Sequence, residues 1–155
     1  PTEAAILAAT LLPADCMTRS PDLSFASPCP CGRTVGPRHR PLAFEDCCGR
    51  WQSAPAPDAE SLMRSRYTAF VREDRAYLLA TWHPRTRPAT LDLEPGLRWL
   101  GLEVRQHRPT GNDSAEVEFV ARSRPAGSGP AHRLHERSRF QCEDGRWYYL
   151  DGDLL

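Results

Sequence analysis

Two tight pairs of cysteines constrain this chain more than any other feature. Cys29-Pro30-Cys31-Gly32 is followed by Cys47-Cys48-Gly49. Residues 28–50 hold too few apolar side chains for a core of their own, so something else must organise them. Four thiolates form the soft tetrahedral set that Zn²⁺ prefers, with bonds of about 2.3 Å. Pro30 and Gly32 favour the sharp turn that lets a Cys-x-Cys pair chelate one ion. Gly49 gives the chain conformational freedom to leave the Cys47-Cys48 pair. The expectation is one structural Zn²⁺ on Cys29, Cys31, Cys47 and Cys48, closed to water because every position is filled. Such a site carries net charge −2, which Arg33, Arg38, Arg40 and Arg50 are placed to offset, with backbone N–H groups bonding the sulfurs. Two alternatives stay open at this stage. The cluster could be redox-active, although a Cys47–Cys48 disulfide would be strained, and His39 could replace one cysteine. Cys16 and Cys142 stand apart and read as ordinary thiols.

Charge and hydropathy narrow the function classes. Twenty basic residues, all arginine, balance twenty acidic ones. A sequence-independent nucleic-acid surface normally leaves a basic excess, so that class loses ground. With 15 Pro and 10 Gly, the missing lysine reads as the bias of a GC-rich genome. No apolar run approaches the ~20 residues of a membrane span. The mildly apolar stretch from Ala4 to Pro13 follows Glu3 with no Arg or Lys ahead of it, unlike a secretory signal. A cytoplasmic protein is expected, with no membrane partner, and clustered cysteines in a reducing compartment favour metal over disulfides.

The order of the chain predicts a flexible extension over 1–27, a knuckle over 28–50, a Pro-rich linker over 51–57 and one domain over 58–155. Residues 1–16 read as lying upstream of a start at Met17. Asp58 can cap a helix with the apolar stripe Leu62, Met63, Tyr67, Phe70 and Val71. Asp74 can cap a second helix holding Tyr77, Leu78 and Trp82, stopped by His83-Pro84. The period then changes to two. Leu100, Leu102 and Val104 alternate with polar or small residues, as do Val117, Phe119 and Ala121. Leu134–Cys142 and Arg146–Asp151 flank Asp144-Gly145, a hairpin turn signal. Two helices followed by four meandering strands make an α+β fold, with a twisted antiparallel sheet wrapping a helix. Residues 85–98 are expected to add a short helix or irregular cover.

The string CPCGR…DCCGR resembles the SEC-C zinc motif, named for the tail of the SecA translocation motor. Its loop is longer here, and Arg33, Arg38, His39 and Arg40 stand where that motif is lysine-rich. The strings LMRSRYTAFVREDRAYLLATWHP, WLGLEV, FVAR, ERSRF and WYYLDG closely resemble the uncharacterised bacterial YchJ family over residues 28–153. That resemblance implies an N-terminal SEC-C motif and a middle domain similar to nuclear transport factor 2, a cystatin-like roll. Many members end with a second SEC-C motif, a pattern that does not recur in this sequence. The resemblance implies a zinc-binding adaptor with a protein partner of the chaperone, ribosome or secretion class.

In such rolls the sheet curves around a conical cavity, so inward polar residues mark a pocket. The candidates are Arg64, Arg66, Tyr67, His83, Glu136, Ser138, Trp147 and Asp151. Glu136 is expected to pair with Arg66 or Arg64, because a buried carboxylate needs a partner. Trp82, Trp99 and Trp147 are expected in the core or the cavity wall. An enzyme or a small-ligand receptor is the alternative function, with Glu136, Asp151 and His83 as acid–base groups. No catalytic motif supports it: there is no Ser-His-Asp order, phosphate loop or dinucleotide fingerprint.

Overall fold

The computed structural model describes residues 24–155. Asp58 starts helix α1, Ala59–Val71, by accepting the Ser61 backbone N–H at 2.6 Å. Glu73 then enters the left-handed region at φ 56°, and Asp74 caps helix α2, Arg75–Ala80, through the Tyr77 N–H at 3.0 Å. Helix α2 ends before the expected Trp82. Trp82 instead bridges Tyr149, where the His83 N–H donates to the Tyr149 carbonyl and the Tyr149 N–H to the Thr81 carbonyl. Pairing with a sheet edge has taken the backbone groups that a further helical turn would use.

The small hairpin of the knuckle is β1, Thr34–Val35, against β2, Arg40–Pro41. The main sheet is an antiparallel meander of β3 (Arg98–Pro109), β4 (Ser114–Arg124), β5 (His132–Glu143) and β6 (Arg146–Leu154) in sequence order. Asp144 and Gly145 both take positive φ between β5 and β6, as a tight hairpin turn requires. Val117, Phe119, Ala121, Ser138 and Phe140 are buried on the inner face that covers α1. Two irregularities shift the expected alternation. Trp99 pairs with Ser123 and Gly101 with Arg122, so Leu100 is left over and lies 45% exposed. Trp99, not Leu100, joins Leu102 and Val104 against the core. On β6, Arg139 pairs with Asp151 and Phe140 with Tyr149, which makes Leu150 the extra residue. Residues 85–97 form no helix or strand and supply irregular cover.

The knuckle is not a bead on a tether. Its cysteines and Phe44 share one buried cluster with Leu62, Met63 and Tyr67 of α1 and with Val117 and Phe140 of the sheet. Within the expected linker, Trp51 closes a 3-10 turn and packs on that cluster, and Ala56 is buried. Residues 24–27, expected within the flexible extension, belong to the knuckle. The Phe44 N–H donates to the Ser27 carbonyl at 2.9 Å and the Glu45 N–H to the Phe25 carbonyl at 3.0 Å. Residues 1–23, with the rest of that extension and Cys16, lie outside the described residues. Among the described residues no helix is long and apolar enough to cross a membrane.

Candidate metal centre and ligand cavity

Local backbone geometry brings the sulfurs together. Gly32 sits at φ 70° and donates its N–H to the Cys29 carbonyl, closing the first turn. The Cys47 and Gly49 N–H groups both donate to the Phe44 carbonyl, at 3.1 and 2.7 Å. A Cβ on Gly49 would stand 2.8 Å from that oxygen. Gly49 is therefore required by close contact and not by the conformational freedom its position suggests.

The four Sγ atoms lie within 4.8 Å of one another, with Cys31–Cys47 at 3.6 Å and Cys47–Cys48 at 4.0 Å. A tetrahedron with zinc–sulfur bonds has edges of about 3.8 Å, so the donor set fits a single tetrahedral ion. All four thiols are free and at most 5% exposed. They cannot ionise independently at this spacing. Hydrogen bonding with Cys31 drives the Cys29 thiol down, and bonding with Cys29 drives Cys48 up. A nearby cation is what lets all four be thiolates together. His39 lies exposed in the hairpin turn at φ 48° and is not among the converging ligand atoms.

Helix α1 clasps this centre. The Thr68 Oγ1 approaches the Cys29 Sγ at 3.8 Å, and Arg64 Nη1 donates to the Cys31 carbonyl at 3.3 Å. Glu60 joins the clasp, accepting from Arg64 at 2.7 Å and from Arg33 at 3.4 Å. Burial alone would raise the Glu60 carboxyl, but Arg64 and then Arg33 outweigh it and hold it below its ordinary range. Arg64 thus belongs to the cysteine cluster and not to the pocket where the sequence placed it.

On the sheet side of α1 lies a cavity of about 300 Å³. Met63, Phe70, Trp99 and Phe119 form apolar walls, and Leu93 and Leu97 cover it from the irregular segment. Tyr67 meets Trp99 edge-on at 5.3 Å, and burial pushes its phenol up to about 12. The polar lining is Arg66, Glu136, Ser138 and Tyr149. Arg66 is 6% exposed. Its Nη1 donates to the Leu78 carbonyl at 2.7 Å and to Thr81 Oγ1 at 2.8 Å, while the rings of Tyr149 and Trp82 lie against its guanidinium. Burial lowers it to about 10, which leaves it charged near neutral pH.

The expected Arg–Glu136 ion pair does not form. Oε1 of Glu136 instead accepts from the Ser138 hydroxyl at 2.6 Å and from the Tyr149 hydroxyl at 3.3 Å. Arg66 is held away by the rings and by the end of α2. Burial, then the charge of Glu136, raises the Tyr149 phenol.

Of the eight pocket candidates, the fold brings Arg66, Tyr67, Glu136 and Ser138 into this cavity. Trp147 lines a separate small groove beside Trp51. His83 is buried behind the edge strand. Its Nδ1 accepts the Arg85 N–H at 3.1 Å and its Nε2 bonds Glu143 at 2.8 Å, which makes Nε2 the protonated nitrogen in the neutral ring. Asp151 faces out, paired with Arg139, because the extra residue Leu150 reverses its side of the strand. Sequence reasoning missed Leu93, Leu97 and the mouth acids Glu73, Asp92 and Glu94, for which no regular period exists to read.

The comparisons agree with this architecture. The family model for the YchJ middle domain, described as NTF2-like, matches residues 58–152. A UPF0225 protein from a Polaromonas species is 64% identical over 129 residues, covering 81% of this chain and 91% of the relative. One from Methylibium petroleiphilum is 62% identical over 138 residues, covering 86% and 94%. Among solved structures, a SEC-C motif containing protein from Rhodopseudomonas palustris superposes with a TM-score of 0.65 at 33% identity, covering 74% of this chain and 94% of that one. Another, from Psychrobacter arcticus, gives 0.65 at 32% identity, covering 84% and 85%.

Proposed function

This chain belongs to the UPF0225 family with a YchJ-type middle domain, and from that premise we propose that it is a zinc-braced receptor for a small molecule. The observation that carries the reading is the cavity itself, an apolar space of about 300 Å³ with a buried arginine that pairs with no carboxylate among the described residues. A roll serving only as a scaffold gains stability by filling such a space. The four-cysteine centre supports a thiophilic ion such as zinc over hard cations, because its donors are all soft and its spacing is tetrahedral. With four protein ligands zinc would have no open position, so its part is to hold the knuckle against α1. Free, buried thiols fit a reducing compartment such as the cytoplasm.

Titration with 2-naphthol, a neutral ring of fitting size, tests the reading. The indole N–H resonances of Trp82 and Trp99 should shift saturably in the zinc-loaded protein and stay still in Ala121→Phe, which fills the cavity. Equal binding by both proteins, or none by either, would refute it.

One observation favours a second reading, the adaptor. Arg38, His39 and Arg40 are exposed at the tip of the knuckle hairpin beside Val35, which is 45% exposed. Such a tip suits an acidic protein partner, and the SEC-C resemblance suggests the chaperone, ribosome or secretion class. Affinity capture with wild-type protein and with Arg38→Glu/Arg40→Glu checks this, and identical retained proteins would remove the hairpin from recognition.

A further inference from the structure

The unmet hydrogen-bonding capacity of the cavity describes what fits it, given the receptor reading above. Arg66 is the donor. The Tyr149 ring centre lies 4.6 Å and the Trp82 ring centre 5.2 Å from the guanidinium carbon, with the two rings edge to face at 5.0 Å on one side of it. Its Nη1 is committed to Leu78 and Thr81, whereas Nε and Nη2 donate to no acceptor among the described residues. Those two nitrogens are the donors that a ligand acceptor in the cavity can meet. Glu136 is the matching acceptor, with Oε1 committed to Ser138 and Tyr149 and Oε2 bonded to nothing. The indole N–H of Trp82, on the same wall, is buried with no partner at all. The free Arg66 donors and the free Glu136 oxygen line one cavity, which marks a place where a ligand can supply an acceptor and a donor.

Charge decides what kind of ligand. Arg66 contributes one positive charge, and Glu136, bonded to the Tyr149 hydroxyl, balances it. Glu73, Asp92 and Glu94 stand exposed at the mouth, and none makes an ion pair within the described residues. An organic anion would meet Arg66 only by passing these carboxylates and lying beside Glu136. An organic cation reaching the floor would lie against Arg66. A neutral group with adjacent acceptor and donor avoids both penalties.

We propose that the cavity takes an uncharged, ring-sized apolar molecule with a carboxamide or lactam edge, its carbonyl oxygen received by Arg66 and its N–H by Glu136. The ring lies among Tyr67, Phe70 and Trp99.

Three probes with one body and different heads test this: 1-naphthylacetamide, 1-naphthylacetate and 1-naphthylethylamine. Each is titrated into zinc-loaded protein and followed at the Trp82 and Trp99 indole resonances. The amide should bind roughly tenfold more tightly than either charged probe, the worth of one hydrogen bond to a charged group. Glu136→Gln should shrink the preference for amide over acetate by about fivefold or more, because a like charge beside the acetate is gone. Gly152→Ala gives an independent arm without touching Arg66. Its Cβ would overlap the Glu136 carboxylate and displace it, so it should lower amide affinity while leaving binding of 2-naphthol unchanged. Acetate binding as tightly as the amide in wild type overturns the proposed ligand class and leaves the receptor reading standing. So does a Glu136→Gln protein with an unaltered amide-to-acetate ratio. Failure of all three probes and of 2-naphthol overturns the receptor reading itself.

Discussion

Replacing Phe44 by alanine should destabilise the whole molecule, not only the knuckle. Phe44 is 2% exposed and sits in the cluster that joins the cysteines to α1. The Arg72 guanidinium stacks on its ring at 4.3 Å, and Phe25 packs beside it at 5.5 Å. Deleting a buried phenylalanine ring costs about 3–5 kcal/mol in removed contacts and residual cavity. The lower end applies here, because Phe25 is 60% exposed and can shift into part of the space. For a chain of this length roughly 3 kcal/mol lowers Tm by about 6–12 °C. The backbone carbonyl of residue 44 survives the change, so the Gly49 and Cys47 hydrogen bonds remain and the ligand set is not directly altered. The assay follows two signals on one temperature ramp: tryptophan fluorescence for the roll and a chromogenic chelator for released metal. Both transitions should move down together and remain coincident. Metal release that moves alone, with the fluorescence midpoint fixed, would refute the claim that knuckle and roll share one core.

Gly49→Ala should cost about 1–3 kcal/mol and loosen the metal, since the new methyl meets backbone oxygen that has nowhere to go; equilibrium unfolding and a chelator competition measure both. Cys47→Ser should abolish stoichiometric metal in native mass spectrometry, and full occupancy in that variant would contradict a four-sulfur site. Tyr77→Phe should cost about 1 kcal/mol in urea unfolding, because it deletes the 2.7 Å bond to Ser65, whose hydroxyl keeps its bond to the Leu62 carbonyl. Glu60 gives a pH signature. Its folded-state carboxyl is depressed, so its contribution is present above the unfolded value of about 4.3 and is lost as pH falls through the lower folded value. Denaturant midpoints should therefore drop less steeply below about pH 4 in Glu60→Gln than in wild type.

The parts legible in advance were those with a strong local code. Asp58 and Asp74 announce their helices because each offers a carboxylate where free N–H groups begin. Asp144-Gly145 announces the β5–β6 hairpin because both positions need positive φ. The face Leu134, Glu136, Ser138 and Phe140 was readable from alternation alone, since β5 is regular over that stretch. Asp151 was not, because one unpaired residue at Leu150 inverts the strand and leaves no trace in composition. The docking of the knuckle was equally hidden. A stripe on α1 suggests one buried face, whereas Ser61, Ser65 and Thr68 on its other side are also buried, under groups distant in sequence. Small hydroxyl residues are what a helix carries where two surfaces press on it, yet they read as solvent-facing when the second surface is unknown. Arg64 and Arg66 show the same effect at two residues' distance, one serving the sulfurs and the other the cavity.

That sandwiched helix sets how the gene can change. A coding segment beginning at Asp58 would not be a portable cassette, because it would bare the flank of α1 that Thr68 and Arg64 present to the cysteine turns. Recombination could not trade this knuckle for another without also refitting that flank, so the two halves should be inherited as one piece.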